Sequence, residues 1–430
     1  MVNAFVSWPS APLTNSLVHK ALTSISTPSP LIFKERVERA DDPLLQWCTY
    51  DDMDHELAHE QRNSVLSSSY TFRKALIRKH FLSRIIQSYL KKHPGSILRD
   101  AVPRTFEIEI SFADELDEMW TDELWELGDE LELKCSWWIL KPGMADRGMG
   151  IRIFHTKDEL VRIFEEFDGE GSGDDESTEH GGTAVVTSQL RHFVIQEYLT
   201  DPLLLDPTQV LDKTRKVDTL SGHKFHLRVY CVSKGDIQLY LYTRILALFS
   251  PVPYRHLSSS TGPSEIDLRS HLTNTSLQSE CGEANVRLLD ELEGCHFLSG
   301  GEDQQLCAAD IDDLVSQIRN VLTDTFNSAL QHPIHFQPLP NAFELFGVDF
   351  LVSHIPSTGL QVKLLEVNAE PAVELTGPRL TWILEDLFIS MAKVCVEPFF
   401  TDRMDLGIEG WEIGEERHNL IKCMDENVRA

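Results

Sequence analysis

The sequence predicts an α/β (α+β) protein built in more than one lobe. Strand-like alternation is interleaved with helical spacing along most of the chain. The chain has 430 residues, room for two or three domains, and 42% of them are hydrophobic, enough for sizeable cores. Near the carboxyl end, two strand-like runs flank a Pro356-Ser357-Thr358-Gly359 turn, the signature of a long hairpin.

The elements follow in order. Residues 4–8 read as a short strand stopped by Pro9. Residues 69–92 read as one helix, with Ala75, Leu76, Phe81, Leu82, Ile85, Ile86 and Leu90 at helical spacing before the His93-Pro94-Gly95 stop. Its polar positions are basic: Arg73, Lys74, Arg78, Lys79, Arg84, Lys91 and Lys92. Such a surface is either a solvated helix face or a seat for an acidic partner or a phosphate. Residues 137–140, 192–196, 224–232 and 238–248 read as strands, and 157–167 and 310–330 as helices. Residues 343–352 and 360–367 form the hairpin, and a last helix covers 378–395. The expected organisation is an N-terminal α/β domain (1–104) carrying the basic helix, a central lobe (105–222), a C-terminal lobe (223–400), and a polar acidic tail (401–430) with little to dock it.

Charge narrows the function classes. Lys and Arg number 39 against 68 Asp and Glu, a formal net charge of −29, which argues against a dedicated nucleic-acid binder. Residues 105–133 hold twelve acids and no Lys or Arg, and residues 165–182 hold eight. The second stretch, rich in glycine, is expected to be a disordered surface insertion. No apolar run approaches the roughly 18 residues of a membrane span, and residues 1–20 lack a basic segment followed by an apolar one. Eight cysteines lie far apart without C-x-x-C or zinc spacing, which reads as reduced thiols in a cytosolic or nuclear protein, and a cytoplasmic one is expected.

Four constellations carry chemistry. With the hairpin turn centred between Ser357 and Thr358, Asp349 faces Glu366, and Asn368 points to the same side; Val348, Phe350, Leu365 and Val367 point to the core. Two opposed carboxylates repel unless one is protonated or a cation lies between them, and with a carboxamide they form a hard oxygen set suited to Mg²⁺. The strand Lys224-Phe225-His226-Leu227-Arg228-Val229 puts three potential cations on one face, able to stabilise phosphate or an oxyanion. Trp138-Ile139-Leu140-Lys141-Pro142-Gly143 ends a strand in a Lys and runs into a loop holding Gly148 and Gly150, where a backbone can approach phosphate. It is not a Walker A loop, and no kinase motif set is present. Val194-Ile195-Gln196-Glu197-Tyr198-Leu199 could offer backbone groups to an adenine, although such segments are more often ordinary strands.

In this order the pieces resemble the tubulin-tyrosine ligase family of the ATP-grasp superfamily, and among its members uncharacterised fungal proteins. The motifs are R-K-A at 73–75, W-I-L-K-P with its glycine loop at 138–150, V-I-Q-E-Y-L-T-D-P-L-L-L at 194–205, K-F-H-L-R at 224–228, Y-L-Y at 240–242, H-L-T-N at 271–274, F-E-L-F-G-V-D-F at 343–350 and L-L-E-V-N-A-E-P-A at 364–372. The resemblance implies an ATP-grasp fold that holds nucleotide between two α/β lobes. It implies that Lys141 and the Gly148–Gly150 loop bind ATP phosphates. Gln196, Glu197, Tyr198 and Leu199 would line the adenine, and Lys224 and Asn368 would also touch the nucleotide. Asp349, Glu366 and Asn368 would hold Mg²⁺; Arg228 would stabilise the acyl-phosphate and tetrahedral species, and Arg244, by a shift, would replace a substrate-contacting arginine; Lys74 would face an acidic peptide such as a tubulin tail. The implied reaction joins an amino acid, tyrosine first among candidates, to a peptide carboxylate through an acyl-phosphate. Ligation of a non-tubulin protein and a non-catalytic ATP-binding scaffold stay as alternatives. The chain departs from the family pattern at His226, where an Asp is usual, and after Tyr242, where one of two arginines is missing and Arg244 stands shifted.

Overall fold

In the computed structural model, the described residues are 2–27, 29–37, 42–133, 136–143, 150–170, 191–258, 262, 266–273, 285–300, 304–355, 357–401 and 410–426. The N-terminal strands are β1 (Val2–Ser7), β2 (Leu31–Lys34), β3 (Leu44–Cys48) and β4 (Val65–Ser67), a parallel sheet in the order β2-β1-β3-β4. Helix α1 (Pro12–Thr23) starts on a proline, whose missing N–H costs nothing in the first turn, and buries Leu17, Val18, Ala21 and Leu22. Helix α2 (His55–Glu60) is capped by Asp54, which accepts from the Leu57 N–H.

The expected helix over 69–92 is two helices. Helix α3 (Lys74–Ile77) is one turn, Arg78 is extended (φ −104°, ψ 118°), and α4 (Lys79–Lys92) begins after it. The Ala75 N–H bonds to the His335 carbonyl, which ties α3 to another part of the chain. Helical spacing in sequence cannot register such a break. Helix α4 and the short α5 (Leu98–Ala101) pack into the core of the largest sheet, although in sequence they adjoin the N-terminal sheet.

A second sheet, in the order β5-β8-β6-β7, is antiparallel: β5 (Thr105–Glu109), β6 (Trp138–Pro142), β7 (Arg152–Phe154) and β8 (His192–Glu197). The acid-rich stretch supplies α6 (Leu116–Met119) and α7 (Trp125–Leu133), whose Leu116, Leu127 and Leu131 are buried while most of the acids face solvent. Helix α8 (Lys157–Glu170) runs three residues beyond its expected end, and the rest of the acidic insertion lies outside the described residues.

The largest sheet has β10 (His223–Lys234) at its centre. The short β9 (Leu204–Leu205) pairs with its start; β11 (Gln238–Tyr242) and β12 (Leu246–Phe249) share one side of it, and β14 (Phe343–Ile355) takes the other. The single strand expected over 238–248 is therefore two, separated at residues 243–245. Strand β13 (Val286–Leu288) extends the sheet beyond β12. Helix α9 (Ala308–Leu330) covers one face with Ile311, Leu314, Ile318, Leu322 and Phe326 at helical spacing. Strand β15 (Gly359–Ala369) completes the hairpin with β14.

The expected helix over 378–395 begins as a 3₁₀ turn, Pro378–Leu380, and continues as α10 (Thr381–Met391). It then widens into a π segment, Ala392–Val396, before α11 (Glu397–Phe400). Pro398 has no N–H to offer the Val394 carbonyl, and Lys234 Nζ fills that place at 2.9 Å. The tail is docked, contrary to the sequence expectation. After β16 (Glu416–Arg417), β17 (Leu420–Asp425) adds to the free edge of β11, with Leu420, Cys423 and Met424 buried. An open edge needs a partner, and one six-residue strand inside an acidic tail is too short a signal to find it by.

Candidate active site

The site lies between the β5-β8-β6-β7 sheet and the largest sheet. It starts with β10. Phe225, Leu227 and Val229 enter the core, so Lys224, His226 and Arg228 must face the other way. Arg228 stands opposite Asp349 of β14, and Asp349 stands opposite Glu366 of β15.

The hairpin reaches that pairing by a route the sequence did not reveal. Near the turn the partners are Ile355 with Gly359 and Phe350 with Leu364, one residue off the expected register. A bulge beside Phe350 leaves Leu365 without a partner and brings Asp349 onto Glu366. Leu364 therefore takes the core place expected of Leu365, and Leu365 turns toward the cleft beside Glu366.

Two clefts meet here. The first, about 700 Å³ counted out into its open mouth, is open to solvent. Lys141, Gln196, Glu197, Tyr198, Leu199 and Lys224 line it, together with Asp349 and Glu366. Ile139, Ile151, Leu272 and Leu351 give it apolar walls. The second, about 2190 Å³, opens between the N-terminal sheet and the β14–β15 hairpin; His226, Asp349 and Glu366 border both. Arg228 and Asn368 line the second.

Two buried lysines face the first cleft. Lys141 Nζ donates to Gln196 Oε1 at 2.7 Å, and burial pushes its pKa down to about 8 despite Glu366 and Asp349 nearby. Lys224 Nζ donates to Tyr198 Oη at 3.1 Å and lies 4.4 Å from the centre of that ring. Burial, then Lys141, push the Lys224 pKa down to about 7. The Tyr198 hydroxyl also hydrogen-bonds His271 Nδ1 at 2.8 Å. Two ammonium groups desolvated side by side call for an anion.

On the carboxylate side, Arg228 forks Asp349, Nε to Oδ1 at 2.5 Å and the second nitrogen to Oδ2 at 2.9 Å. Burial alone would lower the Arg228 pKa; Asp349 holds it above its ordinary value. Lys79 Nζ lies 3.2 Å from Glu366 Oε2, and Asn368 Nδ2 donates to Glu366 Oε1 at 3.1 Å. Burial would raise the Glu366 carboxyl, but Lys79 and Lys141 hold it well below the usual carboxylate range. Asp349, Glu366 and Asn368 thus converge as two carboxylates and an amide, neutralised by Arg228 and Lys79. With the amide turned so that its oxygen faces inward, the donor set fits a hard divalent cation.

His226 stands between Lys224 and Arg228 on the same strand face. Its Nδ1 meets Thr273 Oγ1 at 2.6 Å; its buried Nε2 makes no hydrogen bond among the described residues and lies 3.6 Å from Asp349 Oδ1. Burial lowers its pKa.

Other expected site residues fall elsewhere. Lys74 is exposed and lines neither cleft, because the break at Arg78 aims Lys79 inward instead. Arg244 also lines neither cleft; its guanidinium lies 5.2 Å from the Trp382 ring, past the point where β11 ends. Gly150 is left-handed (φ 71°), and a Cβ there would come within 2.8 Å of Pro142 Cγ, so the loop requires glycine at that position. Gly148 and Asn274 lie outside the described residues. Lys79, His271 and Thr273 were given no place at the site from the sequence, and Leu365 was expected in the core. The basic helix offered seven cations with nothing to separate them, and H-L-T-N carried a motif without a role.

A model of the tubulin-tyrosine ligase family matches residues 54–404. The chain belongs to the tubulin-tyrosine ligase family. It is 40% identical over 392 residues to the Saccharomyces cerevisiae protein named probable tubulin–tyrosine ligase PBY1, an alignment covering 87% of this chain and 48% of that protein. The chain thus spans about half of that relative's length. A probable tubulin–tyrosine ligase of Schizosaccharomyces pombe is 37% identical, with 84% of each chain covered. A probable tubulin polyglutamylase of Mus musculus, TTLL2, is 26% identical over 70% of this chain and 45% of its own. Among solved structures, the C-terminal domain of K. lactis Pby1 superposes with a TM-score of 0.65 at 28% identity, covering 99% of this chain and all of that one. That structure is described as an ATP-grasp enzyme interacting with the mRNA decapping enzyme Dcp2. The ligase family member described here therefore has the ATP-grasp fold.

Proposed function

We propose that the chain is an ATP- and Mg²⁺-dependent ligase, active in the cytoplasm, that joins an amino acid to a protein carboxylate through an acyl-phosphate. The observation that carries this reading is the pair of desolvated lysines, Lys141 and Lys224, facing Asp349 and Glu366 across one cleft. Lys141 and Lys224 would bind phosphate oxygens, with Gln196, Glu197, Tyr198 and Leu199 along the base. Asp349, Glu366 and Asn368 would hold Mg²⁺, which supplies charge neutralisation on the phosphates. Arg228, released from Asp349, could stabilise the negative charge that develops on the substrate carbonyl during amide formation.

The names of the relatives favour tyrosine as the added amino acid and tubulin as acceptor, for which the α-tubulin tail is the proposed site. A second reading, a protein acceptor other than tubulin, is favoured by His226 at the position of the usual Asp and by Arg244 standing away from both clefts. Incubation with labelled tyrosine or glutamate, ATP and detyrosinated tubulin, beside a cell lysate, separates them. Label in tubulin supports the first reading, label in another protein the second, and no ATP-dependent label in either sinks the ligase.

A further inference from the structure

Glu370 is held in a backbone conformation that side chains other than glycine's rarely adopt, with φ at 48°. The other non-glycine residues with left-handed φ among the described residues are Ile237, His418 and Asn419. Ile237 lies in the turn from β10 to β11, and His418 and Asn419 form the turn from β16 to β17, so hairpin geometry accounts for them. Glu370 has no such turn to answer to. It follows directly on β15, two residues beyond Asn368. A strained residue persists only where its surroundings over-determine it.

What holds it comes from two sides. The Glu370 Oε1 atom accepts from the Tyr50 N–H and from Arg73 Nη2, each at 3.1 Å. Arg73 is buried, pairs also with Glu344 of β14, and lies 4.2 Å from the centre of the Tyr50 ring. The Tyr50 hydroxyl in turn donates to the Thr71 carbonyl at 2.8 Å. The Glu370 side chain is 34% exposed, and an ion pair there would be weak by itself; the buried guanidinium and the fixed backbone N–H give the carboxylate a set direction. Beyond Glu370 the chain folds back, so that a Cβ on Gly347 would come within 2.7 Å of Pro371 Cβ. Gly347 is the strand partner of Asn368. The turn at Glu370 therefore presses on the pair of residues that carries the carboxamide of the site.

We propose that Glu370 is a positioning residue for the metal site: its carboxylate, clamped by Tyr50 and Arg73, fixes the turn that folds Pro371 onto Gly347 and so sets where Asn368 stands beside Asp349 and Glu366. A glycine would take this conformation freely, so what Glu370 supplies at a conformational cost is its carboxylate. The inference rests on the ligase reading for the metal itself, which Asp349, Glu366 and Asn368 would hold.

The test titrates Mn²⁺, a paramagnetic stand-in for Mg²⁺, into the full chain with a saturating non-hydrolysable ATP analogue. Free Mn²⁺ is read from its electron paramagnetic resonance signal, and thermal unfolding is followed separately. Three variants part the carboxylate from the backbone conformation. Glu370→Gln keeps an acceptor for Tyr50 and Arg73 and should bind Mn²⁺ within about threefold of the wild type. Glu370→Ala keeps the strain and loses the clamp, so its affinity should fall about tenfold. Glu370→Gly loses both; it should unfold at a higher temperature than the alanine variant yet bind Mn²⁺ no more tightly. Wild-type affinity in the alanine or the glycine variant, or affinity in the glycine variant that recovers in step with its stability, would overturn the proposal. Failure of the wild type to bind Mn²⁺ beside the analogue would remove the metal reading and this inference with it, whereas failure of the inference alone leaves wild-type binding intact.

Discussion

At the scale of single residues, the chemistry is a matter of which charges have been taken out of water and what answers them. Glu366 is answered by Lys79 and Lys141, and in the reading proposed here those cations yield to Mg²⁺ and phosphate. Glu366→Gln keeps the shape and removes the charge, so Mg²⁺-dependent nucleotide affinity should fall about 100-fold; equal binding by the variant would remove the metal site. Lys224 makes the opposite case. Its pKa of about 7 in the folded protein lies below the ordinary 10.5, so between those values the unfolded chain carries a proton the folded one lacks. Stability from this group therefore rises with pH across that window, and below about pH 7 the cost of burying the charge is fully present. Two outcomes follow. Lys224→Met should raise stability at pH 7 by about 1 kcal/mol while weakening nucleotide binding, checked by denaturant titration and calorimetry. Nucleotide binding to the wild type at pH 8 should take up protons, up to about one, seen as a dependence of the measured heat on the buffer's ionisation enthalpy. Residue identities at this site were largely readable in sequence, because a strand with alternating Phe, Leu and Val has to put Lys224, His226 and Arg228 on its other face. What could not be read was which of seven basic residues near the amino end turns inward. Lys74 was expected at the substrate and Lys79 was given no role; the extended Arg78 separates them, and Lys79 is the one that reaches Glu366.

Elements show why a correct pairing can be reached for an incomplete reason. The alignment of Asp349 with Glu366 was expected from a turn centred one half-residue late, and an unpaired Leu365 makes up the difference. Removing Leu365 would restore simple alternation, with Leu364 and Val367 still in the core. The fold should survive within about 1 kcal/mol, while the re-aimed Glu366 lowers Mg·nucleotide affinity about tenfold. Thermal unfolding and calorimetry on the deletion decide this, and unchanged affinity would mean that the bulge has no bearing on the site. The tail is the clearest element the sequence misread. Strand β17 covers the edge of β11, so a chain ending at Phe400 should expose that edge and associate; a monomeric, fully stable truncation on size-exclusion chromatography would contradict this. Long helices such as α9 were legible because twenty-three residues repeat their apolar spacing many times. A two-stranded edge has no such redundancy.

At the scale of the molecule, the cores do not follow the order of the sequence. One apolar cluster joins Ala4, Leu17, Leu45 and Trp47 of the N-terminal part to Tyr230, Tyr240 and Phe343 of the largest sheet and to Leu384 and Phe388 of α10. The β5-β8-β6-β7 sheet has a core of its own, from Ile108 through Trp138 and Phe164 to Ile195. Amides of the N-terminal sheet and the largest sheet should therefore exchange with hydrogen as one unit, and those of residues 105–110 and 138–142 should open more easily. Mg·ATP, bridging the two through Lys141 and Lys224, should slow exchange in both; slowing confined to one would place the nucleotide elsewhere. The sequence by itself determined the local matters: the fold class, the family, the faces of the strands, and the opposition of two acids on one hairpin. These rest on periodicity and on neighbours a few residues apart. Tertiary structure alone decided which distant cations meet those acids and where the tail docks. Such pairings depend on packing between residues hundreds of positions apart, and no local pattern of side chains encodes them.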